Sequence, residues 1–285
     1  MKLSIILVNW KTKDITRNAL LSIYKETKDI NFEVIVIDNN SQDGSVEMLK
    51  KEFPQAVLIE NIDNKGFGKA NNQGLKITKG EYLMFLNTDV IILDGALNKL
   101  LDYLGSHSDV MLVGPRLLNR DLTFQHACRR TLPNPVNSLF HLSGLTKIFK
   151  KNRLVNQYKQ YNLSPDITGP TAALSGAAMM FRRQVYEEIG GFDERFFMYG
   201  EDLDFCKRVL DKGWKKVYVS EARIVQFGGQ SRSKRKVKSL INFYEAMWLY
   251  YRKHFYNSHS LVLNLIIWLG IQVRMGVALL VNYLK

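Results

Sequence analysis

Apolar runs separated by stretches of helical spacing dominate the first part of this 285-residue chain, and that alternation most constrains its fold. The runs are Leu3–Val8, Phe32–Ile37, Ala56–Ile59, Glu81–Leu86 and Val110–Val113. Between them, Asp14–Tyr24, Ser45–Lys51, Phe67–Thr78 and Asp94–Leu104 have helical spacing. An apolar run without alternation fits a strand buried on both faces. Strands joined through helices imply right-handed crossovers, and so an α/β fold with a mostly parallel sheet and flanking helices. Such sheets bind ligands at the carboxyl ends of their strands. Here those ends are Asn9–Trp10, Asp38–Asp43 and Asn87–Asp89.

From Arg116 to Thr171 the pattern breaks down, punctuated by Pro133, Pro135, Pro165 and Pro170. This segment reads as an insertion that covers the site or meets an acceptor. Regular structure resumes with a strand at Leu174–Phe181 and helices at Arg183–Ile189 and Glu201–Lys212. Short strands follow at Lys216–Val219 and Arg223–Phe227, then a helix at Lys236–Phe255. The last stretch, Leu261–Leu284, is apolar with Arg274 as its one charged residue. Two units are expected: residues 1–231 as a catalytic domain, and 232–285 as a basic segment with a helical, membrane-associated tail.

The net charge of +13 is clustered at Lys147–Arg153 and at Arg232–Lys238. Basic surface attracts nucleic acid, anionic headgroups or phosphorylated ligands. No nucleic-acid-binding motif is present, so that partner is set aside. The tail is long enough to cross a bilayer. Arg274 near its middle, together with Asn264, Gln272 and Asn282, instead favours a helix lying in the interface, with the basic stretch on anionic headgroups. The alternative cover is the catalytic domain or a second copy of the chain in a homodimer. Cys128 and Cys206 stand in no metal or redox spacing, as expected in a reducing compartment. Leu3–Val8 is too short for a secretion signal, so the expected place is the cytoplasm, peripheral on the inner face of the membrane.

The strand ends carry the candidate chemistry. Asp38-Asn39-Asn40-Ser41-Gln42-Asp43-Gly44-Ser45 can bind a base or sugar hydroxyl through Asp38, yet taken alone it reads more readily as a turn and helix cap. Asp63 to Gly74 (DNKGFGKANNQG) is neither a P-loop, since Ala70 follows Lys69, nor a dinucleotide fingerprint, since Asn71 stands where glycine is required. Its glycines still permit close backbone approach to a ligand. Leu86-Asn87-Thr88-Asp89 places a carboxylate beyond a buried strand, which suits Mg²⁺ or Mn²⁺ shared with phosphate oxygens. Gly190 to Asp204 (GGFDERFFMYGEDLD) is a glycine- and aromatic-rich loop that opens a helix with Glu201, Asp202 and Asp204 in its first turn. Capping explains one of those acids comfortably.

The ordered set VNW, DNNSQDGS, DNKGFGKANNQG, LNTD, SGAAMMFRR, GGFDERFFMYGEDLDFCKR and GGQS resembles glycosyltransferase family 2, its rhamnosyltransferase-like branch in particular, over about residues 3–231. The resemblance implies a GT-A fold, a nucleotide-diphosphate sugar donor and a divalent metal, Mg²⁺ or Mn²⁺. It implies a donor site at Val8, Asn9, Asp38, Asn64, Gly66, Asn71, Asn87 and Thr88, with Asp38 on the nucleoside. Asp89 matches the last acid of the metal-binding DXD-like motif, with Asn87 in place of the first. Asp202 matches the catalytic base, and Glu201 or Asp204 would orient the acceptor or a nearby arginine. Gln226 stands where the family usually has a metal-side histidine and is a weaker ligand. The implied reaction is an inverting single displacement onto a glycan or lipid-linked acceptor in cell-surface polysaccharide synthesis, with dTDP-rhamnose favoured as donor. The competing reading is a non-catalytic nucleotide-sugar or glycan-binding protein on the same fold.

Overall fold

The computed structural model describes residues 1–134, 163–228 and 236–284. The basic cluster at 147–153, most of the second one, Pro135 and the end of the GGQS motif lie outside the described residues.

The first half folds as its periodicity predicts. Strands β1 (Leu3–Asn9), β2 (Phe32–Asp38), β3 (Val57–Glu60) and β4 (Tyr82–Leu86) alternate with helices α1 (Lys13–Glu26), α2 (Ser45–Glu52) and α3 (Phe67–Leu75). β1 pairs in parallel with β2 and β4, and β2 with β3. β4 is buried along its whole length, as is β1 apart from Val8. α3 lies close against this sheet because Gly74 has no side chain; a Cβ there would come within 2.6 Å of Ile6 Cγ2.

Beyond β4 the sheet departs from the predicted pattern. A three-residue strand, β5 (Val90–Ile92), follows Asp89 and was too short to carry a periodic signal. After α4 (Ala96–Ser106), β6 extends over Val110–Leu118, so the sheet reaches two residues past Arg116, into the segment read as insertion. The predicted strand at 174–181 is two: β9 (Ala173–Leu174) forms a ribbon with β7 (Arg129–Arg130), and β10 (Ala178–Arg182) enters the main sheet. β10 lies antiparallel between β4 and β6. It follows a tight turn rather than a crossover helix, so nothing returns the chain to the starting edge of the sheet. β8 (Gly169–Pro170) also runs antiparallel, against β11. The predicted pair of strands after Lys216 is one, β11 (Lys215–Gln226), with a register shift between Val219 and Arg223. The order is β3-β2-β1-β4-β10-β6-β11-β5, a mixed sheet with a parallel majority among its long strands.

Helices α5 (Arg183–Ile189) and α6 (Glu201–Asp211) flank the sheet. α7 (Lys236–His254) packs on the 190–200 loop. Ala246 and Tyr250 pack around Phe196 of the 190–200 loop, and Tyr199 Oη lies 2.7 Å from Ser239 Oγ. Packing therefore holds α7 against the catalytic body. Ser260 caps α8 (Leu261–Tyr283), which leans on α7 through Tyr251 Oη donating to Asn264 Oδ1 at 2.6 Å. Of the 23 residues of α8, Asn264 and Ile271 are buried. Val262, Ile266, Leu269, Val273, Val277 and Leu280, spaced three and four apart on the opposite face, are all exposed.

Candidate active site

At the end of β1, Asn9 is fully buried and every polar atom of its side chain is used. Nδ2 donates to Asp38 Oδ1 (2.6 Å) and Ser41 Oγ (3.0 Å), while Oδ1 accepts from Thr12 and Thr16. Asn9 thus clasps the β1 and β2 ends together rather than offering a group to a ligand. Asp38 also accepts from Ser41 Oγ on Oδ1 and from Ser41 N on Oδ2. A carboxylate has about four acceptor positions, so one on Oδ2 stays open for a hydroxyl or base N–H. Val8 is half-buried beside it, and Thr88 Oγ1 is 3.4 Å from Thr12 Oγ1.

The glycine-rich motif packs tightly against the 190–200 loop. Gly66, at φ +84°, would place a Cβ 2.6 Å from Phe197 O, and Phe67 N donates to that same carbonyl at 2.8 Å. Asn72 Nδ2 donates to Phe192 O and Phe192 N donates to Asn72 Oδ1, at 2.8 and 2.9 Å, in the manner of a strand pair. Gly191 makes room for that contact: a Cβ on it would lie 2.2 Å from Asn72 Oδ1. The close backbone approach is thus to the 190–200 loop of the protein itself. Asn64 braces the turn by accepting from Gly66 N, and Asn71, buried, donates to Phe67 O within α3.

Asn87, Asp89 and Gln226 converge although the last is far away in sequence. β11 brings Gln226 opposite Val90, and its Nε2 is 3.4 Å from Asp89 Oδ1. Burial pushes the Asp89 carboxyl up, partly offset by bonds from Gln226, the backbone and Asn87. Asp89 forms no ion pair among the described residues, and no group of three acidic, histidine or cysteine side chains gathers there. A buried carboxylate with amide neighbours and no countercharge suits a hard cation whose remaining ligands come from phosphate and water.

The three acids in the first turn of α6 have three environments. Asp202 Oδ2 accepts from Arg130 Nη2 at 2.6 Å and from Gly176 N at 3.1 Å. The neighbouring Ala177 O accepts from Asn87 N, so the Ser175–Ala177 turn links the Asp202 and Asp89 regions. Glu201 is buried, with Oε2 unpartnered; desolvation first, and the charge of Asp202 second, push its carboxyl up to about 8. Asp204 stands apart from the other two. It is fully buried on the other side of the helix, bonded to Arg208, Lys253 and His254 at 2.9, 2.7 and 2.8 Å. Burial alone would raise it, but those partners hold its carboxyl below the usual range. It orients an arginine, as one of the two expected roles required, and is closed to an acceptor. Arg130 carried no recognisable motif and was not anticipated.

A mostly parallel α/β sheet with Asp38 and Asp89 at its strand ends, and Glu201 and Asp202 opening a neighbouring helix, fits a GT-A fold. Sequence comparison agrees: residues 4–190 match Glycosyl transferase family 2, and residues 141–285 match Glycosyl transferase family group 2. The chain belongs to glycosyl transferase family 2. It is 26% identical over 228 residues to N-acetylglucosaminyl-diphospho-decaprenol L-rhamnosyltransferase of Mycobacterium tuberculosis, covering 76% of this chain and 73% of that one. It is 24% identical over 225 residues to the O-antigen chain rhamnosyltransferase RfbN of Salmonella typhimurium, covering 78% and 65%. In structure it is similar to the mannosyltransferase PcManGT of Pyrobaculum calidifontis in complex with GDP-Man and Mn²⁺. The TM-score is 0.60 and the identity 15%, over all of this chain and 75% of that one. S. aureus TarS 1-349 in complex with UDP gives 0.58 and 18%, over 88% and 64%. The expected family and fold are borne out, and the catalytic reading prevails over a non-catalytic binding protein.

The raised Glu201 carboxyl makes stability depend on pH. Between the unfolded value of about 4.3 and about 8, the folded protein keeps a proton that the unfolded chain releases. This contribution is fully present below the unfolded value and is lost as pH rises through the window. Glu201→Gln, neutral at every pH, should flatten the decline. Urea midpoints between about pH 5 and pH 8 should fall less in the variant than in the wild type.

Proposed function

We propose that this glycosyltransferase moves a hexose or 6-deoxyhexose, with dTDP-rhamnose the favoured donor, onto a hydroxyl of a glycan or lipid-linked acceptor in cell-surface polysaccharide synthesis. Two relatives named as rhamnosyltransferases support the sugar, and one of them, named for a diphospho-decaprenol acceptor, supports the lipid carrier. The observation that carries the mechanism is Asp202, held at the mouth of α6 and tied through the Ser175–Ala177 turn to the Asp89 region.

In this reading Asp38 offers its open Oδ2 position to the nucleoside, and the backbone around Val8 and Asn64 frames the donor. Asp89 holds Mg²⁺ or Mn²⁺ with Asn87 and Gln226 as amide neighbours. When bound, the metal offsets negative charge on the diphosphate leaving group. Asp202 takes the proton of the acceptor hydroxyl as that oxygen attacks the anomeric carbon and the bond to the diphosphate breaks. One displacement inverts the configuration. Glu201, neutral beside Asp202, adds no second negative charge against the incoming oxygen.

The tail supports a place at the cytoplasmic face of the membrane. The outward stripe of α8 is apolar along its length, whereas Arg274 lies nearer the α7 side by helical spacing. An interfacial helix fits that distribution better than a span.

Asp202→Asn should lower transfer by about 10²–10⁴-fold with nucleoside-diphosphate affinity unchanged; turnover near wild type would remove Asp202 as the base. Asp89→Ala should weaken Mn²⁺-dependent nucleoside-diphosphate binding by about tenfold or more, roughly 1.4 kcal/mol, measured by calorimetry; unchanged affinity would remove Asp89 from the metal. For the tail, the full chain should co-sediment with vesicles containing anionic lipid, and Leu269→Glu with Val273→Glu should release it. Since both side chains are exposed, a soluble wild type or an unaffected variant would refute membrane docking.

A further inference from the structure

Asp202 is gripped unevenly. Oδ2 accepts two bonds, from Arg130 Nη2 at 2.6 Å and Gly176 N at 3.1 Å, whereas Oδ1 accepts one, from Leu203 N at 2.8 Å. With about two acceptor positions per carboxylate oxygen, Oδ2 is filled and Oδ1 keeps one open. Arg130 is placed for this by the β7–β9 ribbon, where it pairs with Ala173 and its Nη2 reaches Leu174 O at 3.4 Å. The turn carrying Gly176 is packed hard against the acid, since a Cβ there would lie 3.1 Å from Asp202 Cβ. The Arg130 and Asp202 side chains are 16% and 14% exposed, so the pair is largely shielded from solvent.

We propose that Arg130 is the positioning residue of the base: by occupying Oδ2 it fixes the plane of the Asp202 carboxylate and leaves Oδ1 as the atom that receives the acceptor proton. The inference rests on Asp202 being the base. In the step, the acceptor O–H proton passes to Oδ1 as the new oxygen–carbon bond forms. The electron pair of the breaking bond leaves with the nucleoside diphosphate. Arg130 keeps its own proton throughout, because a guanidinium does not deprotonate in proteins. The ion pair of Arg130 is with Asp202, at 2.6 Å. A lysine at this position could supply charge but not the directed bond of the planar fork.

The test compares wild type, Arg130→Ala, Arg130→Lys and Arg130→Gln in full-length protein, reading kcat, acceptor KM, nucleoside-diphosphate affinity and the thermal midpoint. A misdirected catalytic group costs on the order of 10–100-fold. Arg130→Ala should lose that much in kcat with diphosphate affinity unchanged, Arg130→Lys should lose less, and added guanidinium ion should restore activity to Arg130→Ala. A purely structural role would lower the thermal midpoint and show no guanidinium rescue, which overturns the proposal. So would kcat in Arg130→Ala equal to wild type. If the alanine variant fails to fold, Arg130→Gln decides: reduced kcat at an unchanged midpoint supports the proposal, and unchanged kcat overturns it. Active Asp202→Asn would mean that the base assignment fails. Inactive Asp202→Asn beside fully active Arg130→Ala would sink only the role of Arg130.

Discussion

The C-terminal half of the site hangs on the amide of Asn72. Its two hydrogen bonds to Phe192 imitate one rung of a β-ladder, made by a side chain on α3 to the backbone of a loop 120 residues away. Gly191 and Gly66 are the two places where that loop and α3 approach too closely for a side chain. Once docked, the loop drives Phe192 into the aromatic cluster of Phe85, Phe181 and Phe205, and leads directly into α6 with Glu201 and Asp202 at its start. A buried backbone segment must find partners for its N–H and C=O groups. Here Asn72 supplies both for Phe192, which is why an irregular loop can sit at the heart of the molecule.

One helical turn then gives three carboxylates three fates. Asp204 faces inward, where Arg208, Lys253 and His254 neutralise it; Lys253 also reaches Asp193 in the loop, so α7 is riveted to α6 and to the loop by one cation. Removing one partner from such a buried cluster costs about 3–5 kcal/mol, more than any exposed pair contributes. Desolvation first, and the charge of Asp202 second, push the Glu201 carboxyl up, with Arg130 acting against them. Asp202 alone combines a cationic partner, a backbone N–H and an open acceptor position. Environment, and not position in the sequence motif, separates the working acid from its neighbours.

The sequence showed the first four strands and the three helices between them because buried parallel strands leave uninterrupted apolar runs. Asp89 stood out as an acid just past a buried run, and Glu201, Asp202 and Asp204 as a cluster opening a helix; only family resemblance singled out Asp202 among them. What stayed hidden was contact between distant segments. The antiparallel β10 looks like any other apolar run, since strand direction leaves no mark on hydrophobic periodicity. β5 has three residues and no pattern. Gln226 could be placed beside Asp89 by family resemblance, but the reason lies in β5 pairing with β11. Arg130 sits on a two-residue strand beyond the regular region, and nothing near it in sequence announces its partner 72 residues later. At the glycine-rich motif, glycine reports that backbone comes close to something, and the sequence does not say whether that something is a ligand or the protein; at Gly66 it is Phe197 O.

The same chain of contacts joins chemistry to surface. Phe196, from the loop that delivers Asp202, is the residue around which Ala246 and Tyr250 of α7 pack. α7 in turn holds α8 through the buried hydrogen bond that Tyr251 Oη donates to Asn264 Oδ1. Such a bond fixes the rotation of α8 about its axis, because any other rotation would leave the Asn264 amide unpaired. With Asn264 pinned toward α7, helical geometry forces the stripe from Val262 to Leu280 outward. The direction in which the apolar face points is therefore set by a polar group, and that group is fixed relative to the acid loop through α7. If the outward stripe rests on a membrane, the orientation of the acceptor site above the lipid is set through the Tyr251–Asn264 bond and the packing of α7 around Phe196.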